Sequence, residues 1–440
     1  SRFLSRVSPG TDTLALGHPS CRAEVPRARG GMTAAFPASN LSSVMTGTGH
    51  REPRQLPWTG MAGGLLVLVA VILLSSGLLP VASAIDVAER TWSILLFVVA
   101  ATVVAELAAA AGVFDAVADR LGKAAAGRVV VLWLLVVALA VVATVFLSLD
   151  TTAVLLTPVV VLMARGRGLN ALPFALTTIW LANTGSLLFP MSNLTNLLAA
   201  HTLGLDAWEF AALMAPAAIV GVLVPVAVIG VWQRRAVSGP LAPAESQPLE
   251  DRTLTLGAGI IVAALLPALV SGLPVWLPAC VAALMLGVLV AVRKPAALSW
   301  SLFPWQIGVL AVGLFLVVET AHAHGLSDGA APFVGQGTSF LALLRLAASG
   351  ALLANGIDNL PAYLALEPLA LDPLRMAALL VGVNAGALVT PWASLAILLW
   401  HERLTGLGVR LRWPIYMAAS LVVAIVTVTL AVAALSLAHS

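Results

Sequence analysis

Two aspartates and two stretches rich in Asn, Gly and Pro are the residues of this sequence best equipped for chemistry. Asp150 stands in Ser148-Leu149-Asp150-Thr151-Thr152, and Asp358 in Gly356-Ile357-Asp358-Asn359-Leu360-Pro361; each interrupts an apolar stretch. A carboxylate in apolar surroundings can take up and release a proton, and its oxygens accept hydrogen bonds from hydroxylated solutes. Thr151, Thr152 and Asn359 place further donors and acceptors beside them. The second pair is NTGSLLFPMSNLTNLL (Asn183 to Leu198) and NAGALVTPWASLAILL (Asn384 to Leu399), which align without gaps and share Asn183/Asn384, Gly185/Gly386 and Pro190/Pro391. Gly and Pro at such offsets break a helix, and the freed N–H and C=O groups become available to a ligand. Asn183, Ser192 and Asn193 in the first stretch, and Asn384, Thr390 and Ser394 in the second, are the side chains expected to contact substrate or line its path.

Enzymatic patterns are missing. No Gly-x-x-x-x-Gly-Lys-Ser/Thr loop, His-Glu-x-x-His or Gly-x-Ser-x-Gly occurs, and the chain is expected not to be an enzyme. Two aspartates could activate water in an intramembrane protease, but that reading leaves the paired Asn/Gly/Pro stretches without a purpose. Cys21 and Cys280 are the only cysteines, which excludes a disulfide framework and a thiolate metal site. No metal and no cofactor are expected.

The elements that must position these residues follow from composition. The chain has 440 residues, 60% hydrophobic and 10% charged, whereas soluble domains carry about 25% charged residues. Apolar runs of spanning length, about 20 residues, lie near 62–83, 91–112, 128–148, 150–164, 174–202, 209–232, 253–271, 274–292, 303–323, 338–354, 357–370, 375–400 and 413–437. These predict an all-α polytopic membrane protein with about 9–13 membrane segments. Residues 1–60 differ: seven arginines against three acidic residues, with scattered Pro, Ser and Gly and no apolar run, predict a disordered basic tail. The tail begins with Ser1, and the alternative expectation is that it is a start-site artefact, with Met32, Met45 or Met61 the real beginning. The transmembrane domain is expected over 61–440.

A third matched block joins Glu106 and Gly112-Val113-Phe114-Asp115 to Glu319 and Gly325-Leu326-Ser327-Asp328, so the chain reads as two repeats, about 91–232 and about 303–437. In this register Asp150 is paired with Asp358. Lys and Arg mark cytoplasmic loops. Arg120, Lys123, Arg128, Arg165 and Arg167 follow the first two blocks of repeat one, where repeat two is poor in basic residues. After the Asn/Gly/Pro block the bias reverses: 201–208 has none, while 401–412 has Arg403, Arg410 and Arg412. The repeats are therefore expected to be inverted, joined by a hairpin over 253–292, with the N-terminus cytoplasmic. Inverted repeats with broken helices are the architecture of secondary transporters. Each repeat is expected to hold a re-entrant hairpin carrying its aspartate and a discontinuous helix. The alternative for Asp150 and Asp358 is capping of short helices near the surface. His322 and His324 read as a solvated outer loop, Glu367, Arg345 and Glu402 as interfacial charges, Trp208 and Trp300 as interfacial anchors, and Trp392 as a pocket residue.

At Ser148 to Pro158, Asp358 to Ala362 and Gly382 to Trp400 the sequence resembles the arsenite permease family, within the ion transporter superfamily that includes citrate-type and divalent-anion/sodium symporters. The resemblance runs over roughly 62–437. It implies a plasma-membrane carrier with two re-entrant hairpins and two broken helices around a central site, exporting arsenite or antimonite on the proton-motive force. Superfamily symporters of divalent anions carry Ser-Asn-Thr at the hairpin tips; here the tips hold aspartates. Two carboxylates would repel a dianion, since unit charges ~4 Å apart interact by ~4 kcal/mol at an effective dielectric of ~20. They suit proton coupling, with Asp150 and Asp358 as the proton carriers, and a neutral polyhydroxylated solute such as arsenous acid. Alternatives are a sodium- or proton-coupled carrier of citrate, a dicarboxylate, sulfate or another ion, a sodium/proton antiporter, and a membrane scaffold for an ATPase. Expected partners are a small inorganic or organic ion and membrane lipid, with room for a separate ATPase subunit and a homodimer, and no nucleic acid.

Overall fold

The computed structural model describes residues 57–242, 250–299 and 302–439. The tail expected over 1–60 lies outside the described residues apart from 57–60, which open the first helix. Among the described residues there is no strand, and the single isolated bridge joins Arg128 to Pro240. Away from their ends, helices satisfy their main-chain polar groups within the segment, which is what a lipid environment demands. Among the described residues eight helices are long and apolar enough to cross a membrane, or nine if a bent pair counts as one span.

The first half holds α1 (Pro57–Ser75), α2 (Val81–Ala110), α3 (Val113–Ala124), α4 (Val129–Leu147), α5 (Leu149–Gly166), α6 (Ala171–Thr184), α7 (Leu194–Leu203) and α8 (Ala207–Trp232). A hairpin of α9 (Arg252–Leu269) and α10 (Trp276–Arg293) follows. Then come α11 (Trp305–Ala323), α12 (Leu326–Val334), α13 (Phe340–Ile357), α14 (Asn359–Leu366), α15 (Pro373–Ala385), α16 (Leu395–Gly406) and α17 (Trp413–Ala438).

The same local breaks occur in each half. Gly112 ends α2 and Gly325 ends α11, both left-handed at φ 74° and 92°; without a Cβ, glycine adopts this conformation at little cost. Ser148 between α4 and α5, and Asp358 between α13 and α14, have φ/ψ of 102°/159° and 97°/155°. Side chains rarely tolerate this region, and it costs on the order of 1–3 kcal/mol per residue. Asn193 at −153°/145° and Ser394 at −149°/136° open α7 and α16 after the two Asn/Gly/Pro stretches. The hairpin register therefore differs from the sequence expectation: Ser148, not Asp150, is the counterpart of Asp358, and Asp150 stands opposite Leu360. Pro158 and Pro368 then align without a gap, which pairing the aspartates had required. Two identical residues in the sequence outweighed a backbone geometry that the sequence does not display.

Both hairpins leave the body on the side where they begin. In the first, α4 starts just after α3, and Arg167, past the end of α5, packs its guanidinium against Gly122 of α3. In the second, Arg375 of α15 donates to the carbonyls of Gly335 and Gly337, just before α13. The feet lie at opposite ends of α2. Near its C-terminus Thr255 donates to Ala111 O and Lys294 to Ala110 O, while about twenty residues earlier Arg90 pairs with Glu367 beyond α14. The end near Ala110 gathers Arg293 and Lys294, which pair with Asp251 and Glu250. The hydrogen bond from Arg293, helped by main-chain donors at the start of α9, pulls the Asp251 carboxyl down to about 2. With its pKa depressed, the pair persists above the ordinary carboxylate range and is lost only as pH falls towards 2.

Two close approaches seat the broken helices. A Cβ on Gly382 would sit 2.1 Å from Ala347 O of α13, and one on Gly221 of α8 would sit 2.3 Å from Thr184 O. Glycine lets each broken helix lie against a neighbouring backbone.

Candidate functional site

A cavity of about 410 Å³ lies where the two hairpin tips meet the two helix breaks. Ser148, Leu149 and Asp150 come from the first tip, and Ile357, Asp358, Asn359, Leu360 and Pro361 from the second. Asn193 and Leu194 come from the first break, and Trp392, Ser394 and Leu395 from the second. Apolar residues of α1, α2 and α11 close the remaining wall, with Thr102 among them. Four helices, α5, α7, α14 and α16, start at this wall. Helix N-termini favour negative charge, which offsets two carboxylates in an otherwise apolar chamber. No Lys, Arg or His is among the residues lining the cavity.

The side chains named from the sequence divide into two groups. Asp150, Asp358, Asn193, Asn359 and Ser394 line the cavity. Thr151, Thr152, Asn183, Ser192, Asn384 and Thr390 do not, because their polar atoms are used inside the protein. Thr151 donates to Leu147 O at 2.9 Å, and Thr152 accepts from Thr144 at 2.9 Å. Asn183 donates to Ile179 O at 3.0 Å. Ser192 donates to the carbonyls of Ser186 and Phe189, which folds the first break. Thr390 donates to Asn355 O at 2.8 Å. Asn384 is fully buried: its Oδ1 accepts from Asn193 Nδ2 and Thr195 Oγ1, and its Nδ2 donates to Asn196 Oδ1, each at 2.9 Å. That cluster ties the broken helix of one half to that of the other.

The sequence profile of the citrate transporter family (CitMHS) matches residues 50–395. The chain belongs to this family. Among curated relatives, the arsenical pump membrane protein of Escherichia coli K12 is 25% identical over 406 residues, covering 86% of this chain and 93% of that one. The arsenical pump membrane protein of Yersinia enterocolitica is 24% identical, with 84% and 92% covered. An uncharacterized transporter of Mycobacterium tuberculosis H37Rv is 26% identical over 296 residues, covering 63% of this chain and 68% of that one. Among solved structures, the YdaH transporter of Alcanivorax borkumensis superposes with a TM-score of 0.52 at 16% identity, covering 80% of this chain and 86% of that one. That likeness concerns the fold alone. The chain is a multi-pass membrane transporter of the citrate transporter family.

In this family member two polar residues matter that the sequence reading missed or misplaced. Asn355, a lone asparagine near the end of α13, makes all its side-chain hydrogen bonds to the second break or its own helix. Its signal was faint: one asparagine in a largely apolar helix, three before Asp358. Glu367, expected at the interface, is instead 4% exposed and held by Arg90 and Thr202. His322, expected in a solvated loop, is half-buried and bonds Leu364 O and Ser327. Trp392 does border the cavity, and the exposed Trp208 donates to Val270 O.

Asn384→Ala is expected to strand the Asn193, Thr195 and Asn196 side chains. A buried polar group left unpaired costs about 1–3 kcal/mol, so the variant should lose most of its folded yield in detergent. Yield and melting temperature by size-exclusion fluorescence test this; parent-like values would show that the cluster is not a clamp.

Proposed function

We propose that this protein is a secondary active carrier that exports arsenite or antimonite across the plasma membrane on the proton-motive force. The observation that carries the reading is the cavity itself: two carboxylates, amide and hydroxyl groups, and no basic side chain among its lining residues. With its helix N-termini already offset by two carboxylates, a chamber of that kind has no basic side chain to neutralise a free multivalent anion, but it suits a neutral solute with several hydroxyls. Arsenous acid is such a solute near pH 7. Asn193, Asn359 and Ser394 would hydrogen-bond the solute, while Asp150 and Asp358 would carry protons in the opposite direction. The arsenical pump relatives support the same substrate class. The two halves, read as inverted repeats, would open the cavity alternately to either side, as their hairpins with feet at opposite ends of α2 suggest.

The test is arsenic retained by efflux-deficient bacteria loaded with arsenite, with and without the protein, measured by elemental mass spectrometry. Lower retention that a protonophore abolishes is the expected result. Unchanged retention with the protein present in the membrane would overturn the substrate assignment. The paired aspartates also favour a second reading, a sodium/proton antiporter or another cation-coupled carrier. Release of protons from loaded vesicles on adding sodium would identify it.

A further inference from the structure

The polar side chains that line the cavity are not equally occupied. Asn193 spends its amide on Asn384 Oδ1 and on the main-chain N–H of Thr195. Thr102 donates to Val98 O at 2.8 Å, and the Ser148 hydroxyl meets the hydroxyl and main-chain N–H of Thr151. Asp358 accepts from the Leu360 N–H at 3.1 Å. Asp150, Asn359 and Ser394, by contrast, make no side-chain hydrogen bond among the described residues. Asn359 and Ser394 are nevertheless buried, at 7% and 1% exposed. Buried polar side chains are as a rule hydrogen-bonded. These three border the cavity, so they are the groups free to bind what enters it. They come from three elements: Asp150 from the first turn of α5, Asn359 from the start of α14, and Ser394 from the residue before α16.

The remaining wall is of another kind. It is built from Leu66 of α1, Phe97 and Ala101 of α2, and Leu310, Ala311 and Leu314 of α11. Thr102, the one hydroxyl on it, is spent on Val98 O. Arsenous acid has four heavy atoms and hydroxyls on all sides. A molecule of liquid water takes up about 30 Å³, so a solute of that size leaves most of a cavity of about 410 Å³ unfilled. Any hydroxyl turned towards the apolar wall would also lose its hydrogen bonds to water without replacement. A solute with hydroxyls at one end and carbon at the other satisfies both walls at once.

We propose that this cavity takes neutral trivalent arsenicals in which an organic group replaces one hydroxyl of arsenous acid. The two remaining hydroxyls bond Asp150, Asn359 and Ser394, and the organic group lies against α1, α2 and α11. The arsenic centre rests on the export reading above, while the amphipathic character of the solute rests on the lining alone.

Initial rates of uptake into everted vesicles carrying the full chain test this. The solutes are arsenite and its methyl and phenyl derivatives, with the leak into vesicles lacking the protein subtracted. Apparent KM should fall about fourfold from arsenite to the methyl compound, the gain of one buried carbon, and at least about tenfold to the phenyl compound. Ala101→Phe fills part of the apolar wall. It should lower kcat/KM for the phenyl compound about tenfold more than for arsenite, the factor of a lost buried side-chain contact of ordinary size. Ser394→Ala should lower kcat/KM for all three solutes by a common factor. Arsenite carried without either organic compound, or an apparent KM that stays level or rises with the organic group, would overturn the proposal and leave the export reading standing. So would an Ala101→Phe variant that slows arsenite and the phenyl compound equally. If that variant does not accumulate, the order of the parent KM values decides alone. Organic compounds carried without arsenite would keep the proposal and remove arsenite as the cargo. A parent chain present in the membrane that moves none of the three overturns both.

Discussion

Asparagine in place of Asp150 and Asp358 is expected to abolish proton-driven transport while the protein remains folded in the membrane. Asn matches Asp in size and keeps one acceptor oxygen, so packing around either position is preserved. Asp358 sits at φ 97°, and Asn is one of the side chains enriched at positive φ, so the strained tip tolerates the exchange. What the amide cannot do is bind and release a proton. No third carboxylate or histidine lines the cavity, so nothing there substitutes for the missing pair. Arsenite uptake into inside-out vesicles under an imposed pH gradient should fall by on the order of a hundredfold in the double variant, equivalent to about 2.7 kcal/mol. Single variants should separate the roles: Asp358→Asn also alters the acceptor of the Leu360 N–H, 3.1 Å away at the start of α14. A double variant that transports at the parent rate, with the parent pH profile, would remove both residues from the mechanism.

Much of this site was legible in the sequence because its signals are compositional. Gly and Pro in an apolar run announce a broken helix whatever surrounds it, and the Asn183 and Asn384 stretches kept the same register in space that they have in the alignment. A carboxylate in an apolar run is equally conspicuous, since burying it is costly unless it has a use. What the sequence hid was geometric. Ser148 and Asp358 share a backbone conformation, not a side chain, so residue identity steered the hairpin register two residues away. Nor could spacing reveal that Asn384 spends its amide on Asn193, Thr195 and Asn196, residues about 190 positions distant. A buried asparagine between helices reads alike as ligand contact or clamp until its partners are known. Conversely, Asn193 both joins that clamp and faces the cavity, so the clamp and the solute wall are one structure.

Glu367 shows the same limit from the opposite direction, and it leads to the strongest stability prediction. Its carboxylate receives Arg90 Nη2 from α2 at 3.1 Å and Thr202 Oγ1 from the end of α7 at 2.6 Å. Three elements distant in sequence therefore meet at one carboxylate that is almost wholly removed from solvent. Arg90 Nε beside it is buried without a partner, so the pair is not tuned for maximal stability. Removing one member of a buried pair strands the other, which costs several kcal/mol, whereas removing both is often close to neutral. Arg90→Met should thus destabilise the protein by about 3 kcal/mol, the low end of that range because Arg90 is itself partly exposed. Glu367→Gln keeps an acceptor for Thr202 and should cost less. Combined with Arg90→Met, it should restore much of the lost stability, because the uncompensated charge is gone. Thermal unfolding of the three variants in detergent forms a double-mutant cycle that reads the coupling directly. A double variant no more stable than Arg90→Met alone would show that Arg90 acts through packing of its aliphatic stem rather than through its charge.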